Sequence, residues 1–261
     1  MRAQPLVTIV TPTFGRTETL LRAVASVAAQ DWPAIEHLIV GDRCPLLPAL
    51  EKRLREINPE VRVLHAPDWR SPHAEYLSAR IARARNIGIA AASGEYVGHL
   101  DSDNTIDPDH VSSLVQLLEA EPGLAGASCF RKLMLPDGSP YTDPLHPWDK
   151  DAATAERTYR DLAALGVYQP GTNLAADRLS VGGKPFGLDA NEFFFRRVEH
   201  LRYLFKTQYS EEERAAGLGE DDELSLRLLG DGVPYGCTER YTVNFYLGGR
   251  FTEQTLTARG A

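Results

Sequence analysis

The chain has 261 residues, 43% hydrophobic and 25% charged, near the average for globular proteins, so a packed core is expected in one large domain or two small ones. A formal charge of −8 argues against nucleic acid or an anionic membrane surface as the main partner. Cys44, Cys129 and Cys237 lie far apart with no C-x-x-C pair. That excludes a zinc ribbon or disulfide framework and points to a reducing cytoplasm.

The opening "MRAQPLVTIVTPTF" lacks the long apolar region and cleavage site of a signal peptide. "LVTIVTPT" reads as a first strand that stops at Pro12, and "TETLLRAVASVAAQ" as a helix capped by Thr17, with Leu20, Val24, Val27 and Ala28 on one face. "IEHLIVGD" is a second strand ending at Gly41-Asp42; a helix near "LLPALEKRLREI" leads to a third strand, "VRVLHA". Ser71-Pro72 is expected to open the next helix, packed through Leu77, Ile81, Ala84 and Gly88 and stopped by Gly94. "EYVGHL" is the fourth strand. Asp107-Pro108 is expected to cap a further helix with Val111, Leu114 and Leu118 inward. Strands alternating with helices predict an α/β fold with a mostly parallel sheet flanked by helices.

The pattern changes after about residue 133. "LPDGSPYTDPLHPWDK" reads as a long surface loop, and helices are expected near 151–165 and 192–206, before the charged "YSEEERAAGLGEDDELSLRLLGDG". No run of 18 apolar residues occurs, so no integral membrane segment is expected. The expected organisation is one continuous domain over 1–261, with an orderly half to residue 135 and an irregular half over 136–261.

Asp101 and Asp103 flank a single serine where the fourth strand ends. If that segment stays extended, the two carboxylates project together while Ser102 turns aside. Paired hard oxygens suit Mn²⁺ or Mg²⁺, which bind through one or two carboxylates plus a ligand's phosphates. The plainer reading is a solvated turn with helix-capping aspartates, and Asp107 is read that way. In open α/β sheets, however, ligands sit beyond the carboxyl ends of parallel strands. Thr11-Pro12-Thr13, Asp42 and Asp101/Asp103 all fall there. "RIARARNIG" adds Arg80, Arg83 and Arg85, placed to neutralise a diphosphate or to order the acids.

The order "VTIVTPTFGR", "LIVGDRCP", "ARNIGIAAASGEYVGHLDSDN" resembles the nucleotide-sugar half of family 2 glycosyltransferases of the GT-A fold, over residues 6 to 120. Gly15 stands where that family usually has asparagine, and Gly41 where it has the first of two aspartates. "VGGKPFG" (181–187) is similar to the family's glycine pair before the acceptor region. "GEDDELSLRL" (219–228) is similar to the helix start that carries its catalytic base. The resemblance implies a Rossmann-like nucleotide-binding half followed by an acceptor half, and a metal-assisted, inverting hexosyl transfer from a nucleotide diphosphate sugar, most simply a UDP-sugar, to a small-molecule or glycan acceptor. It makes Asp221 the base, beside Glu220 and with Asp222 as the fallback. Thr11, Pro12, Thr13, Asp42, Arg85, Asp101 and Ser102 are expected to bind the donor, and Asp103 with Asp101 the cation.

One departure bears on the metal. All seven histidines lie at or before His200, so the histidine that many members place after the base is missing; Tyr241, Asn244 or water is expected there. His99 is expected to be packed rather than a ligand. Trp148, Tyr141 and Tyr168 are candidates for stacking on an acceptor or for core packing. A homodimer is left open. Two rival readings remain. One is a sugar-phosphate nucleotidyltransferase, although "TPTFGRT" lacks its glycine-rich phosphate loop; the other is a non-catalytic nucleotide-sugar-binding protein.

Overall fold

The structure is a computed structural model that describes residues 4–248. The first half alternates β1 (Val7–Thr13), α1 (Glu18–Ala28), β2 (Ile35–Gly41), α2 (Leu47–Ile57), β3 (Val61–His65), α3 (Leu77–Ala91) and β4 (Tyr96–His99). Then come β5 (Thr105–Ile106), α4 (His110–Ala120), β6 (Gly126–Met134), α5 (Ala152–Ala164), β7 (Leu174–Ala175) and a hairpin of β8 (Arg178–Val181) and β9 (Lys184–Gly187). The described chain closes with β10 (Phe194–Arg196), α6 (Arg197–His200), α7 (Glu211–Ala215), α8 (Glu220–Gly230) and β11 (Tyr235–Tyr246).

One nine-stranded sheet, in the order β3-β2-β1-β4-β10-β6-β11-β5 with β7 on β6, draws strands from both sides of residue 135. β3, β2, β1 and β4 are mutually parallel, as are β6 and β11, while β10 runs antiparallel to both neighbours. Alternation along the strands divides the core. Val7, Ile9 and Phe194 pack with Val111, Leu114 and Leu118 on one face. Val10, Val97 and Phe195 pack with Ala82, Ile89 and Leu224 on the other.

Four expectations are corrected. The helix expected over 192–206 is instead strand β10 followed by one helical turn. Its aromatic residues are buried on both faces of the sheet (Phe194 and Phe195 each 0% exposed), which a central strand requires. The helix expected from Ser71-Pro72 starts at Leu77, after a turn over 71–76. Its inward face runs through Ala82, Arg85 and Ile89 as well as Gly88, with Leu77 and Ile81 only half-buried. Asp107 does not cap α4, because its carboxylate accepts from Lys132 Nζ and Asn244 Nδ2; Asp109 holds the cap position. Ala28 is exposed rather than packed.

Gly88 shows why α3 can lie so close to the sheet: a Cβ there would stand 2.3 Å from Val10 Cγ1. The glycines of "VGGKPFG" have another use. Gly182 and Gly183, with φ +59° and +75°, form the tight turn of the β8–β9 hairpin, a backbone region that favours glycine.

Candidate active site at the strand ends

A cavity of about 660 Å³ opens beyond the carboxyl ends of β1, β2 and β4 and reaches to the start of α8. Pro12 lies inside β1 rather than ending it. Val10 accepts from the Leu100 amide on the β4 side, and Thr13 from the Asp42 amide on the β2 side. That alternation turns the Pro12 nitrogen toward β4, beyond the last β1–β4 pair, Val10–His99, so its missing N–H costs no strand pairing. Thr13 lines the cavity with its buried hydroxyl unpartnered. Thr11 is not among the lining residues; its hydroxyl, fully buried, meets His37 Nε2 at 2.9 Å.

Asp42 lines the cavity just after β2. Its Oδ2 is held by Arg80 through Nε at 2.8 Å and Nη2 at 2.6 Å, and that guanidinium also lies over the Phe14 ring. Arg80 is thus a cavity wall and not a solvated helix face. Gly15, next to Phe14, has φ +63°, a region that glycine and asparagine both tolerate.

The acidic pair departs from the strand-alternation expectation. β4 ends at His99, and residues 101–104 form a turn closed by the Asn104 amide on the Asp101 carbonyl at 3.1 Å. The two carboxylates therefore have different surroundings. Asp101 Oδ1 takes Arg85 Nη2 at 2.6 Å and Oδ2 takes Asn191 Nδ2 at 3.1 Å, so both its oxygens are engaged. Asp103 pairs with Arg16 at 2.8 Å and stays 19% exposed. Burial, reinforced by Asp101 and opposed by Arg16, lifts Asp103 to about 6. Ser102 lines the cavity between them, 5% exposed.

The "ARNIG" run folds into α3 with a separate task for each residue. Arg85, 1% exposed, sits behind Asp101 and spans to Glu220 Oε1 at 3.7 Å. Asn86 clamps the Phe205 backbone through both its amide groups. Of the two tasks open for Arg85 from sequence, it orders the acids and is not itself part of the cavity lining. His99 is packed, as expected. Its Nε2 lies 2.6 Å from His200 Nε2, and burial lowers both imidazoles, His200 to about 3.

At the far end, Gly219 precedes the first turn of α8, which carries Glu220, Asp221 and Asp222, all on the cavity wall. Acids suit the positive end of a helix, yet burial and crowding win here. Burial, then Glu220 and Asp222, push Asp221 well upward, and burial raises Glu220 to about 7 against the pull of Arg85. A carboxyl with a raised pKa in a cleft is suited to accepting a proton.

The opposite wall contains residues that sequence reasoning missed. Arg131, projecting from β6, pairs with Asp177 at 2.5 Å and Asp189 at 3.0 Å, beneath the rings of Trp148 and Phe245. Trp148 and Tyr168 line this wall; Tyr141 does not, its hydroxyl donating to the Leu145 carbonyl. The available signal was the charged pair Arg131-Lys132 within the mostly apolar "GASCFRKLM", since a charge on a buried strand calls for a partner.

Among the described residues no group of three or more His, Cys, Asp and Glu side chains is arranged to hold a metal. Tyr241 packs on Phe130 and Asn244 bonds Asp107, and neither lines the cavity. Asp103, partly open and raised first by burial and then by the neighbouring Asp101 carboxylate, still fits a divalent ion that takes one protein carboxylate and completes its shell with water and phosphate oxygens.

The family model described as glycosyl transferase family 2 matches residues 8–159. The succinoglycan biosynthesis protein ExoO of Rhizobium meliloti (strain 1021) is 32% identical over 117 residues, 44% of this chain and 30% of that protein. This chain thus spans under a third of that relative's length. The mannosyltransferase PcManGT from Pyrobaculum calidifontis, solved in complex with GDP-Man and Mn²⁺, superposes with a TM-score of 0.62 at 15% identity, over 98% of this chain and 61% of that one. S. aureus TarS 1–349, solved with UDP-GlcNAc, gives 0.56 at 13% identity, over 92% and 58%. These likenesses establish the fold as GT-A.

Proposed function

The chain belongs to glycosyl transferase family 2, and from that premise we propose that it moves a sugar from a nucleotide diphosphate donor, a UDP-sugar, to an acceptor hydroxyl with inversion. The observation that carries this reading is the shared cavity: the acids at the strand ends and the acids opening α8 line one space of about 660 Å³. Solved structures of the same fold hold GDP-Man with Mn²⁺ and UDP-GlcNAc, which supports a nucleotide sugar as donor.

In this reading residues 1–135 supply the donor half and 136–261 the acceptor half, all within one domain; residues from 249 onward lie outside the described ones. Asp42, oriented by Arg80, accepts from the base, and the unpartnered Thr13 hydroxyl and Ser102 meet base or ribose. Asp101, held by Arg85 and Asn191, fixes the turn that presents Asp103. Asp103 would hold Mn²⁺ or Mg²⁺, whose charge offsets that of the diphosphate. Asp221 takes the acceptor's proton as its oxygen bonds to the anomeric carbon. The bond from that carbon to the diphosphate breaks, and UDP leaves with the electron pair. A single base facing the leaving group gives inversion.

The test is incubation with UDP-sugars and Mn²⁺. Release of UDP, slow without acceptor, is the expected result. Pyrophosphate formed from UTP and a sugar phosphate would identify a nucleotidyltransferase instead. UDP-sugar binding with no turnover under any condition would leave only a binding protein.

A further inference from the structure

The two walls of the cavity carry different charge balances. The donor wall sets Asp42, Asp101 and Asp103 against Arg80, Arg85 and Arg16, one guanidinium to each carboxylate. The acceptor wall presents Asp177, Asp189, Glu220, Asp221 and Asp222; among the described residues Arg131 is its only lysine or arginine on the lining, and Arg85, shared with Asp101, stands 3.7 Å behind Glu220. Nor can Arg131 turn to a ligand. It is 9% exposed, bound to Asp177 and Asp189, and covered by Trp148 and Phe245. Among the described residues, Asp221 and Asp222 have no ion-pair partner. His146, the other basic side chain here, is engaged through Nδ1 with Tyr168 Oη at 2.8 Å.

We propose that the acceptor is an uncharged or amine-bearing glycoside, taken against the aromatic and carboxylate wall formed by Trp148, Phe186, Asp189 and Asp222, and that anionic acceptors such as uronates or phosphorylated glycans are rejected. The proposal rests on the glycosyltransferase reading and adds the acceptor's chemical class. Carboxylates accept hydrogen bonds from sugar hydroxyls or ammonium groups, and an aromatic ring covers a sugar's apolar face. An anionic group would enter a space where, among the described residues, Asp221 and Asp222 have no counter-charge, a like-charge contact that selects against a partner.

The experiment measures UDP released from UDP-glucose, UDP-galactose and UDP-GlcNAc with Mn²⁺, above the acceptor-free rate. The acceptors are p-nitrophenyl β-glucoside, its 2-amino analogue, its glucuronide and its 6-phosphate. The proposal expects the neutral and amino glycosides to exceed the glucuronide and phosphate at least tenfold in kcat/KM. It also expects the exposed D222N and D222K changes to narrow that ratio several-fold, with the Kd for UDP unmoved. Equal or better use of the glucuronide or phosphate overturns the proposal. So does a wild-type enzyme that hydrolyses UDP-sugar but responds to no glycoside, and in that case the underlying reading survives. Neither UDP binding nor hydrolysis would strike the underlying reading itself.

Discussion

Glu36 and Glu220 are both buried glutamates, 8% and 7% exposed, yet their carboxyls shift in opposite directions. Glu36, at the amino end of the sheet, is held below the usual range. Burial opposes this, but the Ser93 amide and hydroxyl, Thr8 and Arg62 all donate to its oxygens. Glu220, at the carboxyl end, has Arg85 as its one ion-pair partner among the described residues, at 3.7 Å, and burial raises it to about 7. At Glu36, far from the cavity, the fold supplies four donors to one buried charge. Around the cavity it leaves acids crowded and donors idle, among them Thr13 Oγ1, Arg85 Nη1 and Arg131 Nε. Under-satisfied polar groups beside a cavity are what a binding site uses and a scaffold avoids.

The sharpest way to break this contrast is to remove one acid from the crowded end. D221N should lower transfer about 10²–10⁴-fold, the usual contribution of a positioned base, while UDP affinity and melting temperature hold steady or the latter rises. Surviving transfer would move the base to Glu220 or Asp222. Removing the shared counter-charge should do the reverse. R85M leaves Asp101 and Glu220 buried without their cation, a loss of about 3–5 kcal/mol by the usual cost of breaking a buried pair, readable by urea denaturation.

The pH dependence carries the smallest effect and its sign differs between the two glutamates. Glu220 is raised in the folded state, so its contribution is complete below about 4.5 and is lost as pH rises toward about 7. Glu36 is lowered, so its contribution is present above about 4.5 and is lost as pH falls through the folded value. E220Q should therefore flatten the decline in stability between pH 5 and 7. E36Q should lower stability at neutral pH by about 1–3 kcal/mol, as expected when bonds to a buried charge go unmet, and should leave UDP affinity unchanged. Identical pH profiles for the two variants would erase the contrast.

How much of this was legible in the sequence follows the same division. The strands β1 to β4 and the acids just past them occupy short consecutive segments whose period and stops locate them. Alternation was less informative about depth: Thr11 and Thr13 share a face of β1, yet Thr11 is sealed against His37 and Thr13 reaches the cavity. It also failed for Asp101 and Asp103, because the chain leaves the sheet at His99 and a turn sends the two carboxylates to different partners. The opposite wall was legible only in Trp148 and Tyr168, for a different reason. Arg131, Trp148, Asp177, Asp189 and Phe245 come from a strand, loops and another strand far apart in sequence, and only the folded sheet brings them together. β10 was misread because three phenylalanines in a row have no period, and the antiparallel insertion between β4 and β6 that buries both faces is a tertiary fact.

Central to the account is that the strand-end acids hold a nucleoside diphosphate with a divalent ion at Asp103. Calorimetric titration of UDP into the wild-type chain and D103N, with and without Mn²⁺, tests this directly. The account predicts that UDP binds the wild type more tightly with Mn²⁺, and that D103N loses this gain while retaining the metal-free affinity. Absence of UDP binding to the wild type, or a Mn²⁺ gain untouched by D103N, would contradict it.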